Sequence, residues 1–393
     1  MTRQLISEVG RDVLVRPSPF AMVWQGKGSP HEALAVPGVS LGEGELLVEV
    51  ELATICRSDV HTVLGQREAP TPVILGHEQV GRVVAVGEGA VSWSGTPIVA
   101  GMRVAWSVTV SCGNCDRCSR GLTQKCRTLA RYGHDRVHRG WELSGGFASH
   151  VQVRAGSAVV LVGESLPARV AAPASCATAT VAAALEAASA HVALSGATVL
   201  VLGAGMPGLT ATAMATDAGA RVIVSDPNSL RRSAACDFGA DAVADPGVGY
   251  LAVTGLGGVL AASAAAGAAE PLVVLETSGS PTAVRSALRA IGVGGIVVLV
   301  GSVSPGGEVA LDPELLVRNS LTIRGVHNYS GRHLQQAIDY LSEAWHSHPF
   351  AELVGKTFPL AQLDEAFECA GSGRYPRVGI DPRASIVAGE TRR

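Results

Sequence analysis

TVLVLG (198–203), RVIVSD (221–226), PLVVLETSG (271–279) and GGIVVLVG (294–301) are apolar at nearly every position. A strand with one wet face alternates. A strand that does not alternate must be covered on both faces, as in a parallel sheet flanked by helices. This pattern constrains the fold more than any other feature of the chain. It predicts a doubly wound α/β domain over 169–326, with LTIRGV (321–326) as a last strand. Upstream, ELLVEVELATIC (45–56), GRVVAVGEG (81–89) and RVAWSVTV (103–110) read as short strands set apart by glycine, so a β-rich domain is expected over 1–168. VAAPASCATATVAAALEAASAHV (170–192) is helical in composition. A second helical stretch, 334–345, lies in a tail (327–393) expected to complete the first domain. The first 30 or so residues are polar, carry Pro17, Pro19 and Pro30, and read as a loosely attached extension. At 393 residues the chain is too long for one growing core, in keeping with two domains.

Composition narrows the function. Hydrophobic residues make up 47 % and charged residues 17 %, which suits a well-buried globular protein. A formal net charge of −3 offers no electrostatic footprint for nucleic acid or an anionic membrane. The Ala-rich run at 257–269 is broken by glycine and serine, and no stretch is apolar for long enough to span a bilayer. The N-terminus lacks the features of a signal peptide, so a cytoplasmic location is expected. In that compartment clustered cysteines are metal ligands more often than disulfides.

Between the first and second apolar runs stands Gly203-x-Gly205-x-x-Gly208. Three glycines at this spacing allow a tight turn and a close backbone approach, so that a pyrophosphate can sit on the N-terminus of the following helix. Asp226 ends the next strand, 18 residues after Gly208, where a carboxylate would accept both ribose hydroxyls and repel a 2′-phosphate. NAD is therefore expected over NADP, although Arg231 and Arg232 stand close downstream.

Four cysteines are spaced Cys112-x2-Cys115-x2-Cys118-x7-Cys126. Four thiolates close the shell of a tetrahedral zinc, leave no position for substrate, and so make a structural site. An iron–sulfur run would put its fourth cysteine after three residues and then a proline; here the gap is seven and Arg127 follows. A redox CxxC pair would not need the two further cysteines. A second set is scattered: Cys56, His77 with Glu78, and Cys176. Taken singly, Cys176 suits a buried small hydrophobe and His77 a satisfied loop histidine. Taken together they form a Cys2His set, which would leave the fourth zinc position open.

CRSDVH (56–61), Gly76-His77-Glu78-x2-Gly81-x5-Gly87-x2-Ala90, the cysteine lobe, GGFASHV (145–151) and the glycine loop with Asp226 follow one another in this order. In this the chain resembles the zinc-dependent medium-chain dehydrogenases over roughly residues 40 to 380. The resemblance implies a GroES-like catalytic domain, a Rossmann domain with NAD in the cleft, and two zinc ions per subunit, one catalytic and one structural. It further implies Cys56, His77 and Cys176 as ligands of the catalytic zinc, with Glu78 able to approach the metal. Asp59 would orient His77, Ser58 would meet the substrate hydroxyl, and His61 would pass its proton to solvent. Ser58 read by itself would be a turn hydroxyl capping local backbone; its place between Cys56 and Asp59 favours the substrate role. Arg57 would hold the pyrophosphate, and Thr180 would lie beside the nicotinamide. A homo-oligomer acting on a small alcohol or ketone is expected.

RYGHDRVHRGWELSGG (131–146) carries Arg131, His134, Arg136, His138 and Arg139. Such a loop could meet a phosphate or phosphonate, or be a solvated basic loop or a subunit contact. It is similar to loops of the family's cyclitol dehydrogenases and of those associated with phosphonate metabolism. A polyol or cyclitol, with or without phosphate, is expected as substrate over a simple alcohol. Cys236 and Cys369 have no assigned role.

Overall fold

The structure, a computed structural model, describes residues 4–9, 12–304 and 306–384, with the backbone alone for 4–9. Contacts divide the chain into two compact units. The first takes in the chain up to Cys176, Ser330–Trp345 and the chain from Phe350 onward; the second is Ala177–Tyr329 with His346–Pro349.

The first unit is built on an eight-stranded sheet. Its main path runs Ser157–Leu161, Arg103–Val110, Glu78–Val86, Leu46–Ile55, Arg377–Asp381, Val354–Pro359. Leu46–Ile55 is its spine, pairing with Glu78–Val86, His150–Val153 and Arg377–Asp381. Burial along that spine is nearly continuous, so the alternation in its sequence does not mark a wet face. Glu51 is tolerated there because Arg103 Nε donates to its carboxylate at 2.8 Å. The helix Gly331–Ala344 belongs to this unit and buries Leu334, Ala337, Ile338 and Leu341, one helical stripe.

The N-terminal residues are not a loose extension. Gln4–Val9, Asp12–Arg16 and Gly38–Ser40 make a three-stranded sheet, and Phe20–Val23 pairs with Glu32–Ala35. Asp12–Arg16 alternates buried and exposed, and Val13, Val15, Ala21 and Val23 join a core with Leu47, Ile74 and Leu143. Trp24 and Met22 enter the main core of the unit. Pro17 and Pro19 interrupt strands here without loosening the packing.

The second unit holds the predicted doubly wound sheet. Its six parallel strands lie in the order Ala242–Ala244, Arg221–Ser225, Thr198–Leu202, Pro271–Glu276, Ile296–Leu299, Thr322–Gly325. In chain order that is 3-2-1-4-5-6, with the reversal falling between Thr198–Leu202 and Pro271–Glu276, where such sheets bind nucleotides. Val199, Leu200, Val201, Val222, Ile223, Val224, Val273 and Val274 are fully buried, which accounts for the unbroken apolar runs. Among the described residues no single helix is long and apolar enough to cross a membrane.

Candidate active site and metal centres

Three segments of the first unit bring the scattered donors together. The spine strand ends at Cys56, whose N–H donates to Asp59 Oδ2 at 3.0 Å as the helix Arg57–Val63 begins. His77 follows Gly76, which has φ +92° and lies so close to Phe147 that a Cβ would come within 2.8 Å of its amide nitrogen. Cys176 is not within a helix, as the Ala-rich sequence suggests. It occupies a break, φ −121° and ψ −68°, between the 3-10 turn Ala172–Ser175 and the helix Ala177–Ser189. Pro173, with no N–H to give, stands inside that turn. Ser175 Oγ donates to His77 O at 3.2 Å and ties the turn to its neighbour. Donor atoms of Cys56, His77, Glu78 and Cys176 all lie within 4.8 Å of one another, the two sulfurs 4.0 Å apart.

A layer of charged groups surrounds these donors. His77 Nδ1 faces Asp59 Oδ1 at 3.3 Å, leaving Nε2 for a metal. Glu78 is fully buried, and both its oxygens are engaged: Arg377 Nε and Nη2 donate at 2.7 and 2.8 Å, and Thr54 Oγ1 at 2.6 Å. Strand register produces this cluster, because Thr54 pairs with Glu78 and Ile55 with Val378. Arg377 Nη2 also lies 3.7 Å from Cys56 Sγ.

Titration behaviour follows from these contacts. The hydrogen bond from Cys176 holds the Cys56 thiol well below its usual range despite burial. The same bond, with burial, pushes Cys176 well above it. Burial opposes charge on His77, yet Asp59 raises its imidazole well above the usual range. Burial raises Glu78, and Arg377 pulls it back. Burial likewise opposes charge on Arg377, and Glu78 and Cys56 more than restore it. Two sulfurs, an imidazole and a carboxylate whose donor atoms all lie within 4.8 Å of one another, most of them buried, suit a divalent cation.

The four-cysteine lobe gathers its donors from one segment. Cys112 and Cys126 sulfurs are 3.4 Å apart, Cys115 and Cys118 3.5 Å, Cys115 and Cys126 4.0 Å. These separations are far too long for disulfides and near the edge of about 3.8 Å that zinc–sulfur bonds of about 2.3 Å give a tetrahedron. Backbone N–H groups, first that of Arg127, bring Cys115 down to about 7. Burial pushes Cys118 up to about 12. Cys126 comes down to about 6 because hydrogen bonds, the Cys112 N–H foremost, outweigh its burial.

In the second unit Gly203 has φ +103° and presses on Ser278, while a Cβ on Gly208 would lie 1.7 Å from Gly203 O. A Cβ on Gly205 would meet nothing nearer than Pro207 Cδ at 4.0 Å. The helix Met206–Asp217 starts there with no side chain capping it, and its amides suit a pyrophosphate. Asp226, just past the strand, accepts Ala204 N–H and Asn228 N–H at 2.8 Å each. Thr180 lies half-buried in the first turn of Ala177–Ser189.

The remaining predicted residues scatter. Arg57 is exposed, and Ser58 and His61 are half-buried on the helix after Cys56. His61 Nδ1 bonds Gln66 Oε1. In the basic loop Arg131 pairs with Asp135 at 2.8 Å, and Arg136, His138 and Arg139 are exposed.

Comparison with known proteins follows the same division. The family profile of the alcohol dehydrogenase GroES-like domain matches residues 42–164, and that of the zinc-binding dehydrogenases matches 208–343. The chain belongs to the zinc-dependent medium-chain dehydrogenases. As such a dehydrogenase it is an oxidoreductase, with zinc and a nicotinamide dinucleotide as its cofactors. It is 28 % identical over 355 residues to L-threonine 3-dehydrogenase of Colwellia psychrerythraea, covering 87 % of this chain and 93 % of that one. An alcohol dehydrogenase structure from Thermotoga maritima superposes with a TM-score of 0.85 at 25 % identity, over 93 % of this chain and 99 % of that one. A zinc-binding dehydrogenase from Sinorhizobium meliloti 1021, bound to NADP, gives 0.77 at 25 % identity, over 93 % and 100 %.

Sequence reasoning missed Arg377 and Thr54 in this dehydrogenase. The available signal for the first was one cation in the otherwise apolar run RVGI (377–380), since a charge inside a strand needs a buried counter-charge.

Proposed function

We propose that this dehydrogenase oxidises a secondary alcohol of a polyhydroxylated substrate, a polyol or cyclitol with or without phosphate, to the ketone, or runs the reverse, with NAD. The observation that carries the reading is the buried meeting of Cys56, His77 and Cys176 around a common point while Glu78 is held by Arg377. Three available protein donors make the open, working kind of site, in contrast to the closed cysteine lobe. Zinc at these three residues would supply Lewis acidity to a substrate hydroxyl, and NAD would accept the hydride.

The chain's own residues do the rest. Asp59 fixes the tautomer and orientation of His77 through Nδ1. Glu78 and Arg377 surround the donors with paired charge and keep bulk water out. Ser58 receives the hydroxyl proton. His61 keeps Nδ1 on Gln66, which presents Nε2 as the acceptor that passes the proton on. Arg57 holds pyrophosphate, and Thr180 positions the nicotinamide. Asp226 favours NAD, and Arg232 is committed to Asp245 at 2.9 Å and to Asp226 O at 2.8 Å instead of to a 2′-phosphate. The hydroxyl at carbon 3 of L-threonine is itself secondary, which accords with the relatives' name. The edge strand Thr322–Gly325, partly exposed, supports self-association.

The test is NADH formation by zinc-loaded protein on simple alcohols, open-chain polyols, cyclitols with and without phosphate, hydroxy-phosphonates and L-threonine. Preference for polyols or cyclitols supports the reading. Activity on simple alcohols or hydroxy-phosphonates alone keeps the chemistry and removes the substrate class. Bound zinc and NAD without any turnover points to a binding protein of the same fold.

A further inference from the structure

The second unit carries a fully buried carboxylate that the functional reading leaves unused. Glu276 closes the strand Pro271–Glu276, in register with Leu202 on one side and Leu299 on the other. It is 0 % exposed. Oε1 accepts from Ser278 N–H at 2.8 Å, Gly279 N–H at 2.7 Å and Ser278 Oγ at 2.6 Å. Oε2 accepts from Ser302 Oγ at 3.3 Å. The main chain repeats this tie, since Val300 N–H and Gly301 N–H donate to Glu276 O at 2.8 and 2.9 Å. Four donors and no acceptor are the pattern of an ionised carboxylate. Among the described residues no cation pairs with it.

The loops joined in this way form a floor beside the glycine loop. Gly279, with φ +74°, lies so close to Gly301 that a Cβ on it would meet Gly301 O at 2.6 Å. On the other side a Cβ on Gly203 would meet Ser278 Cβ at 2.9 Å, and Thr277 Oγ1 donates to Gly203 O at 2.8 Å. Ser278 and Ser302 are exposed, while the carboxylate they bond is not. A doubly wound sheet holds a dinucleotide across its switch point, one mononucleotide on each half. With adenosine taken by Asp226 on the first three strands, the nicotinamide half falls to the last three. Glu276 stands at the carboxyl end of the first of these. A buried charge without a counter-ion is felt over several ångströms in the low dielectric of such a site.

We propose that Glu276 is a positioning residue for the nicotinamide half of the cofactor, and that its unpaired charge favours the cationic ring of NAD+ over the neutral ring of NADH. The inference rests on the placement of the dinucleotide in the reading above and deepens it. Through its hydrogen bonds Glu276 holds the two loops in one shape. Its charge then tells the two redox states apart, which the shape of the floor does not do.

The experiment measures calorimetric affinities of the full-length, zinc-loaded protein for NAD+, NADH and ADP, the last carrying only the adenosine and its two phosphates. Glu276→Gln keeps the size and an acceptor oxygen and removes the charge. It should raise the ratio of Kd for NAD+ to Kd for NADH by about 3- to 10-fold and leave ADP unchanged. Glu276→Asp, which keeps the charge, should hold that ratio near the wild-type value even where both affinities fall. A ratio unmoved by Glu276→Gln, or equal weakening of NAD+, NADH and ADP, overturns the proposal. If Glu276→Gln does not fold, Ser302→Ala takes its place, cutting the tie between the loops and leaving the charge. Both dinucleotides should then weaken by about 2- to 5-fold while ADP does not, and the absence of a loss confined to the dinucleotides overturns the proposal. Asp226→Ala separates the two readings. Loss of ADP binding supports the placement, and unchanged ADP binding removes the placement and the proposal together, leaving the dehydrogenase chemistry intact.

Discussion

The cysteine lobe and the buried centre use overlapping donor types to opposite ends. The lobe draws four sulfurs from a single short segment, with Cys112 exposed and Cys115 half-exposed, and no carboxylate among its donors. The centre draws two sulfurs and an imidazole from three segments, Cys56 and Cys176 being 120 residues apart, and encloses them with Asp59, Glu78, Arg377 and Thr54. The lobe needs only its own loop to be correct. The centre needs the whole first unit to be correct, and in return it holds a three-donor set poised for a fourth, external ligand.

This contrast breaks first under cysteine substitution. Cys56→Ala should lower kcat on the order of 10³-fold, the equivalent of the several kcal/mol a Lewis-acid metal supplies, while zinc analysis still finds the lobe's ion. Cys112→Ala should instead reduce zinc from two ions to one and lower Tm, with the remaining folded protein still active. A Cys112→Ala protein with unchanged Tm and two zinc ions would remove the structural assignment.

Arg377→Met sharpens the contrast from the stability side. It leaves the Glu78 carboxylate buried and unpaired, so chemical denaturation should show a loss of about 3–5 kcal/mol. Arg127→Met beside the lobe, where the partner Asp116 is exposed, should leave the denaturation midpoint nearly unmoved. Asp59→Asn should cost about 10- to 100-fold in zinc affinity or activity, with little effect on the lobe. Zinc uptake by the centre should also strengthen as pH rises, since Cys176 and His77, both raised, must release protons to bind metal. A metal titration at pH 6 and at pH 8 would show it, and an affinity that falls with rising pH would refute it.

The smallest expected effect lies in the N-terminal hairpin. Burial lowers the His31 pKa below its unfolded value of about 6.5 even though Asp364 accepts from Nδ1 at 2.6 Å. The unfolded chain therefore binds a proton first as pH falls, so stability is present above about pH 6.5 and declines on acidification through the folded pKa. His31→Asn should flatten the fall in Tm between pH 7 and pH 5.5.

The same contrast governs what could be read from sequence. The lobe was legible because its spacing is its geometry. The parallel sheet was legible because strands such as Thr198–Leu202 are buried on both faces and leave an unbroken apolar run. Cys56, His77 and Cys176 became visible only as a set. Arg377 and Thr54 did not, because their meeting with Glu78 depends on the register of three strands, which spacing along the chain does not encode. Alanine-rich composition masked the break at Cys176. In the N-terminal three-stranded sheet, counting prolines outweighed the alternation of Val13 and Val15 that mattered.

The Glu78–Arg377 pair joins residues 299 positions apart. During synthesis the ribosome therefore delivers the acid long before the base that neutralises it. Throughout that interval the carboxylate has no native counter-charge, and the pocket cannot close without burying a bare anion. A chain that stopped before residue 377 would still carry Cys56, His77, Glu78 and Cys176, yet its buried carboxylate would lack the guanidinium that faces it here.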